Sequence, residues 1–278
     1  MLTGLVVFHA SIIQRLFPET AFSYEAAYQA FIDQDIPEHL LAEFYEEAQG
    51  DDEKFLSWLT TYYFLQGFFR GEQPLSAEIP WEQLTGDDLQ MLREAARKQE
   101  PKSFADIAAR NQRLWQDALE FQQFPVGDVS GNPDAGVIFE NSWKTPRTYG
   151  GERHHEGVDI MATVEERGIY PIYSISDGTV EKIGWLPQGG YRIGVRSPTG
   201  AYYYYAHLAS YGSFGLGDEV HAGDLLGMMG DTGYSEIEGT TGNFPVHLHF
   251  GVYFNDEAGE EYAINAFPLV QYLYSQMK

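Results

Sequence analysis

The sequence predicts an α+β protein, an N-terminal helical region followed by a mainly antiparallel β domain. Three observations carry that prediction. Apolar residues in the first 124 positions recur at helical spacing. A stretch rich in Pro, Gly, Asp and Asn, residues 124–134, ends that periodicity. Beyond it glycine is frequent, and β-branched and aromatic residues alternate as in half-buried strands. The predicted division is 1–124 helical, 125–141 linker, and 142–278 β-rich with a C-terminal helix.

The helical elements follow in order. Residues 24–33 and 38–49 carry apolar positions at helical spacing, with Pro37 at the second start. Residues 54–69 are strongly apolar and end near Gly71 and Pro74. Thr85-Gly86-Asp87-Asp88 opens a helix over 89–98. Ser103-Phe104-Ala105-Asp106 resembles a capping box and opens another, running to about Gln123. Trp58, Phe64 and Trp115 read as core rather than as a ligand cleft, because aromatic residues at helical spacing pack inward. Strands are predicted at 168–176, 179–185, 191–196, 201–207 and 246–254, with Pro198-Thr199-Gly200 as a turn. A last helix is predicted at 268–277.

Composition bounds the function. A chain of 278 residues with 19 Tyr and 18 Phe can bury a sizeable core. A formal net charge of −24 argues against nucleic acid, whose phosphates need clustered Lys and Arg, and against adsorption to an anionic membrane. The absence of cysteine excludes disulfides and thiolate metal sites. Residues 1–13 are apolar and Arg15 follows, so this stretch is shorter than the ~20 residues of a membrane span. The remnant of a signal anchor, tethering the chain to a membrane, and a first helix packed on the domain both fit it.

Two histidine clusters carry the chemistry: His155-Glu156-Gly157-Val158-Asp159 and His247-Leu248-His249. Together they offer three or four nitrogen and carboxylate ligands, a set that suits Zn²⁺. On a strand, residues i and i+2 share a face, so His247 and His249 would both meet one groove while Leu248 turns to the core. His155 and Asp159 are an even number apart, and Gly157 between them allows close backbone approach. His207, at the end of a Tyr-rich strand, joins the set.

With these residues in place, the part from about Ser142 to Phe254 resembles the lysostaphin-type zinc endopeptidases, peptidase family M23. His155 to Asp159 matches that family's His-x-Gly-x-Asp signature, and Tyr205-Ala206-His207-Leu208 its Tyr-x-His-Leu segment. Gly217-Asp218-Glu219-Val220 and the turns at 227–233 match its glycine-rich motifs, and His247-Leu248-His249 its final His-Leu-His. The resemblance implies that His155, Asp159 and His249 hold Zn²⁺. It implies that His247 and His207 flank the open coordination position, His247 taking a proton from water and His207 stabilising the oxyanion. Tyr149 is a further candidate donor to that oxyanion. His154 and His221 read as surface residues, and Glu156 lacks the second histidine of an H-E-x-x-H site. The tyrosines 202–205 would alternate between core and groove.

The resemblance therefore implies a zinc metallopeptidase, a hydrolase cutting peptide bonds in the stems or cross-bridges of bacterial peptidoglycan, at an extracytoplasmic site. The alternative it leaves is a non-enzymatic, cell-wall-binding or regulatory protein of the same family. Such proteins lack ligands, whereas all five positions are filled here. One departure stands out. The segment before His247, residues 235–245, is longer than the family's short Ser-Thr-Gly link, and this loop would border the groove.

Overall fold

The structure, a computed structural model, describes Phe17 and residues 20–277. The apolar segment 1–13 lies outside the described residues. Contacts divide the chain into two compact units, one running to Trp115 and the other beginning at Gln116. The class is α+β, as the sequence predicts.

The first unit contains strand β1 (Ala21–Phe22), helices α1 (Tyr24–Asp33), α2 (Glu38–Ala48) and α3 (Asp52–Leu65), and strands β2 (Phe68–Arg70) and β3 (Gln73–Pro74). Helices α4 (Gly86–Gln99) and α5 (Pro101–Phe121) complete it, and the unit boundary falls inside α5. Side chains set three of the starts. Ser23, Asp51 and Thr85 each accept a hydrogen bond from the backbone three residues on, and Thr85 with Asp88 forms a full capping box.

Two predicted bounds shift for physical reasons. The helix expected from Ser103 starts at Pro101, because proline fits the first helical turn, where its missing N–H would have had no partner. The apolar run 54–69 is helical only to Leu65, and its end becomes β2, paired with β1. Gly67 makes that turn, since a Cβ there would lie 2.7 Å from the Ser23 carbonyl oxygen.

Trp58, Phe64 and Trp115 are fully buried in this unit and form core, with Phe55 edge-on to Trp115 at 5.4 Å. Burying each large apolar side chain stabilises the fold by about 1.5–3 kcal/mol. Gln34 is the polar centre of this core. It follows α1 at φ 45°, donates Nε2 to the Phe31 carbonyl at 2.7 Å, and accepts from Tyr63 Oη at 3.0 Å and Trp115 Nε1 at 3.3 Å.

The second unit is built on strands. They are β4 (Val137–Ile138), β5 (Pro146–Arg147), β6 (Arg153–His154), β7 (Val158–Ala162), β8 (Pro171–Tyr173), β9 (Gly178–Leu186), β10 (Gly190–Arg196), β11 (Tyr202–Tyr211), β12 (Glu219–Val220), β13 (Leu225–Met229), β14 (His247–Asn255) and β15 (Glu261–Ile264). Helix α6 (Phe267–Gln276) closes the chain. Ten strands form one sheet in the order β12-β9-β10-β11-β14-β7-β4, with β15 on β14 and β13 between β11 and β8. Every pairing in it is antiparallel. β5 and β6 make a separate hairpin.

Residues 125–141, predicted as linker, are partly built into this sheet. β4 pairs with β7, and Val126 is buried and bridges Ile172. The strand predicted over 168–176 shortens to β8, because Gly168 sits at φ 82° in a turn and pairing begins only at Pro171. β7, β13 and β15 are strands that the sequence pattern does not single out. On β11 the tyrosines alternate: Tyr203 and Tyr205 are buried against Phe250, while Tyr204 faces a cleft. Tyr203 Oη donates to Asp117 Oδ2 at 2.8 Å, so this buried hydroxyl is satisfied. Among the described residues, no helix is long and apolar enough to cross a membrane.

Candidate active site

The central sheet places the two histidine clusters side by side. β14 pairs with β7 so that His249 is opposite Asp159 and His247 opposite Met161. Val158, Ile160, Leu248 and Phe250 are fully buried on one face, so alternation turns Asp159, His247 and His249 to the other. His155 arrives from the turn before β7. Its backbone N–H donates to the Thr145 carbonyl and its carbonyl accepts from Lys144, both at 2.9 Å. Gly157 lies at φ 149°, and a Cβ there would come within 2.6 Å of the Phe250 carbonyl oxygen and 2.9 Å of the His249 ring. The glycine of the first cluster therefore makes room for a histidine of the second.

Three atoms converge. His155 Nε2 lies 3.0 Å from Asp159 Oδ1 and 2.9 Å from His249 Nδ1, and His249 Nδ1 lies 3.0 Å from Asp159 Oδ1. His155 Nδ1 is 2.9 Å from Ser142 Oγ, which can donate or accept, and 3.1 Å from the Ser142 carbonyl oxygen, which can only accept; a hydrogen on Nδ1 satisfies that carbonyl and turns Nε2 to the centre. In the neutral ring, Nε2 is then a bare acceptor. Three acceptor-type atoms share at most one hydrogen while both rings are neutral. Burial lowers His249, which favours its neutral ring. This is the donor set of a cation site, and the three groups could hold a metal ion. Their spacing is close to the ~3.3 Å between ligand atoms of a tetrahedral zinc with bonds of about 2.0 Å. Asp159 Oδ2, the outer oxygen, accepts from Arg147 Nη2 at 2.6 Å, which leaves Oδ1 for the centre.

The other two histidines flank this triad. His247 Nδ1 is 2.8 Å from the Pro245 carbonyl and His207 Nδ1 is 2.8 Å from the Thr232 carbonyl. Each therefore donates at Nδ1 and leaves Nε2 bare. His247 Nε2 is 3.7 Å from Asp159 Oδ1, and the two rings are 4.7 Å apart. Burial pushes His207 well below the ordinary imidazole range, so the ring is neutral.

Strict alternation would send His207 to the core with Tyr203 and Tyr205. A bulge prevents this. Between Tyr191/Leu208 and Ile193/Tyr205, β11 spends one residue more than β10, and His207 takes φ 65°. The extra residue turns His207 back to the face of Tyr204 and His249, where it lines the cleft.

His155, Asp159, His207, His247 and His249 thus line one cleft of about 230 Å³. Tyr149 does not line it. Its ring stacks on Tyr234 at 4.6 Å and 4°, and Tyr234 is the ring that faces the cleft. His154 is exposed at the rim and His221 is exposed elsewhere. Sequence reasoning missed Ser142, Arg147, Arg153, Tyr234 and Phe244. Phe244 packs 4.6 Å from His207 and 5.1 Å from His247. The one signal for it was the long loop 235–245, to which Phe244 belongs; the arginines belong to no motif.

The comparisons agree with this geometry. Residues 153–260 match the sequence profile of Peptidase family M23. An L-Ala–D-Glu endopeptidase of Bacillus subtilis (strain 168) is 38% identical over 131 residues, 47% of this chain and 38% of that protein. Lysostaphin of Staphylococcus simulans is 35% identical over 98 residues, 34% of this chain and 17% of that protein. The chain spans well under half the length of these two relatives. The crystal structure of a candidate glycyl-glycine endopeptidase, lytM, from Ruminococcus gnavus ATCC 29149 is similar over 95% of both chains, at 35% identity and a TM-score of 0.69. With the profile match spanning the triad and similarity to that structure running nearly end to end, this chain belongs to peptidase family M23.

Proposed function

We propose that this chain is a zinc-dependent endopeptidase that hydrolyses peptide bonds of bacterial peptidoglycan outside the cytoplasm. The observation that carries the reading is the convergence of three acceptor atoms, His155 Nε2, Asp159 Oδ1 and His249 Nδ1, beside two further histidines with bare Nε2 atoms. Zinc held by that triad supplies Lewis-acid polarisation of a carbonyl and acidifies water toward a pKa of about 7. The remaining work falls to the chain. His247, its Nδ1–H fixed on the Pro245 carbonyl, presents Nε2 as the general base that takes the proton of the attacking water. His207 turns its Nε2 to the same cleft and stabilises the oxyanion there when that atom carries a hydrogen. Tyr149 acts by holding Tyr234 against the cleft through their stack.

The named relatives supply the substrate class: one is an L-Ala–D-Glu endopeptidase and another is lysostaphin. The test is metal content together with digestion of purified peptidoglycan by the wild type and by His247→Ala. One zinc per chain is expected in both, with cleavage by the variant down about 10²–10⁴-fold. Equal cleavage would remove His247 from its role. No cleavage by the wild type on several wall types would favour a non-enzymatic, wall-binding protein.

A further inference from the structure

The hairpin that carries the approach to His155 holds two arginines in an unusual relation. Arg147 and Arg153 are direct partners across β5 and β6, so both project from one face of a two-stranded ribbon. Like charges directly opposite each other destabilise a strand pair, and a two-stranded ribbon has little else to offset that. Both residues line the catalytic cleft. Arg147 is committed to Asp159. Arg153 is not committed to any carboxylate: its Nε donates to the Tyr149 carbonyl at 3.3 Å, and its two terminal nitrogens have no hydrogen-bond partner among the described residues. Its backbone contact holds the base of the guanidinium while the fork stays free. In a chain of net charge −24, a free guanidinium in a cleft beside a cation site is a local reversal of sign.

We propose that Arg153 is the specificity-determining residue of this cleft and recognises a free carboxylate on the substrate residue next to the scissile bond. The inference rests on the peptidase reading above and narrows its substrate. A glutamyl residue acylated on its amine, with one carboxyl continuing the chain, keeps a second carboxylate free. A glycyl-glycine bond offers none. The guanidinium fork matches such a carboxylate in a bidentate pair, a geometry lysine cannot reproduce. The cleft is therefore built for an anionic stem peptide of the L-Ala–D-Glu kind rather than for a glycine bridge.

The test compares two synthetic stem peptides that differ only in that group, free carboxylate in one and carboxamide in the other, with a pentaglycine peptide as third substrate. Wild type is expected to favour the carboxylate peptide over the carboxamide by about 30- to 4000-fold in kcat/KM, the range for truncating one member of a hydrogen-bonded charge pair. Arg153→Gln should bring that ratio to within about threefold, and Arg153→Lys should retain part of it. Metal content and melting temperature report that each variant is folded. A ratio that survives Arg153→Gln, or a wild type that prefers carboxamide or pentaglycine, overturns the proposal. The same peptide pair with the scissile amide N-methylated, titrated calorimetrically into wild type and Arg153→Gln, separates the two readings. If the wild type cleaves nothing but binds the carboxylate form with an Arg153-dependent preference, carboxylate recognition stands and the peptidase reading falls. If it binds both forms equally, carboxylate recognition falls by itself.

Discussion

Around Gln34 in the helical unit and around Asp159 in the β unit, buried polar side chains meet in opposite ways. At Gln34 every contact joins a donor to an acceptor: Nε2 to the Phe31 carbonyl, and Tyr63 Oη and Trp115 Nε1 to Oε1. The cluster is complete without a ligand, as buried polar groups in a core must be. At Asp159 three acceptor-type atoms meet with at most one hydrogen among them while both rings are neutral. Such a cluster is costly unless a cation completes it. The two clusters thus differ in donor–acceptor pattern: one is closed within the core, and the other fits a cation.

The strongest way to break this contrast is Asp159→Ala. It removes the one fixed charge of the triad, and bound metal should fall from one per chain to near zero. Cleavage should drop by roughly four orders of magnitude or more, since both effects of the metal go with it. Metal analysis and a peptidoglycan assay on the same preparation check this; retained metal would mean that the two histidines suffice. A smaller effect is expected from Gln34→Leu, which leaves the buried Tyr63 hydroxyl and Trp115 indole N–H without their acceptor. The helical unit should lose about 2–4 kcal/mol in a denaturant titration, with metal content unchanged. A loss of metal in that variant would erase the distinction. The smallest expected effect is that of Arg147→Ala, which frees Asp159 Oδ2 and loosens the carboxylate without removing a ligand. Metal affinity should weaken about 10–100-fold in a chelator competition, the usual range for an outer partner of a metal ligand.

Much of this was legible in the residues. The change of periodicity near residue 124 separates helices from strands, and α1 lies where apolar spacing places it. The two histidine clusters are visible because i, i+2 spacing on β14 and the glycine at 157 are local features. The short strands β7, β13 and β15 were not visible, since four or five residues carry too little pattern without their partners. Ser103 misled because a serine three residues before an acid is a cap only where the chain has not already turned into a helix, and Pro101 turns it earlier.

Sequence alone determined which groups can do chemistry here: five residues of metal-ligand and proton-transfer type, in the order and spacing of the family, and no cysteine to compete with them. Tertiary structure decided their neighbours. Register put Asp159 opposite His249, a one-residue bulge turned His207 out of the core, and the β5–β6 hairpin brought Arg147 and Arg153 to a cleft that no motif marks. The physical reason is the same in each case. Residue type and local spacing are properties of a short stretch, whereas the face a side chain presents depends on the strand it pairs with, and a shift of one residue reverses it.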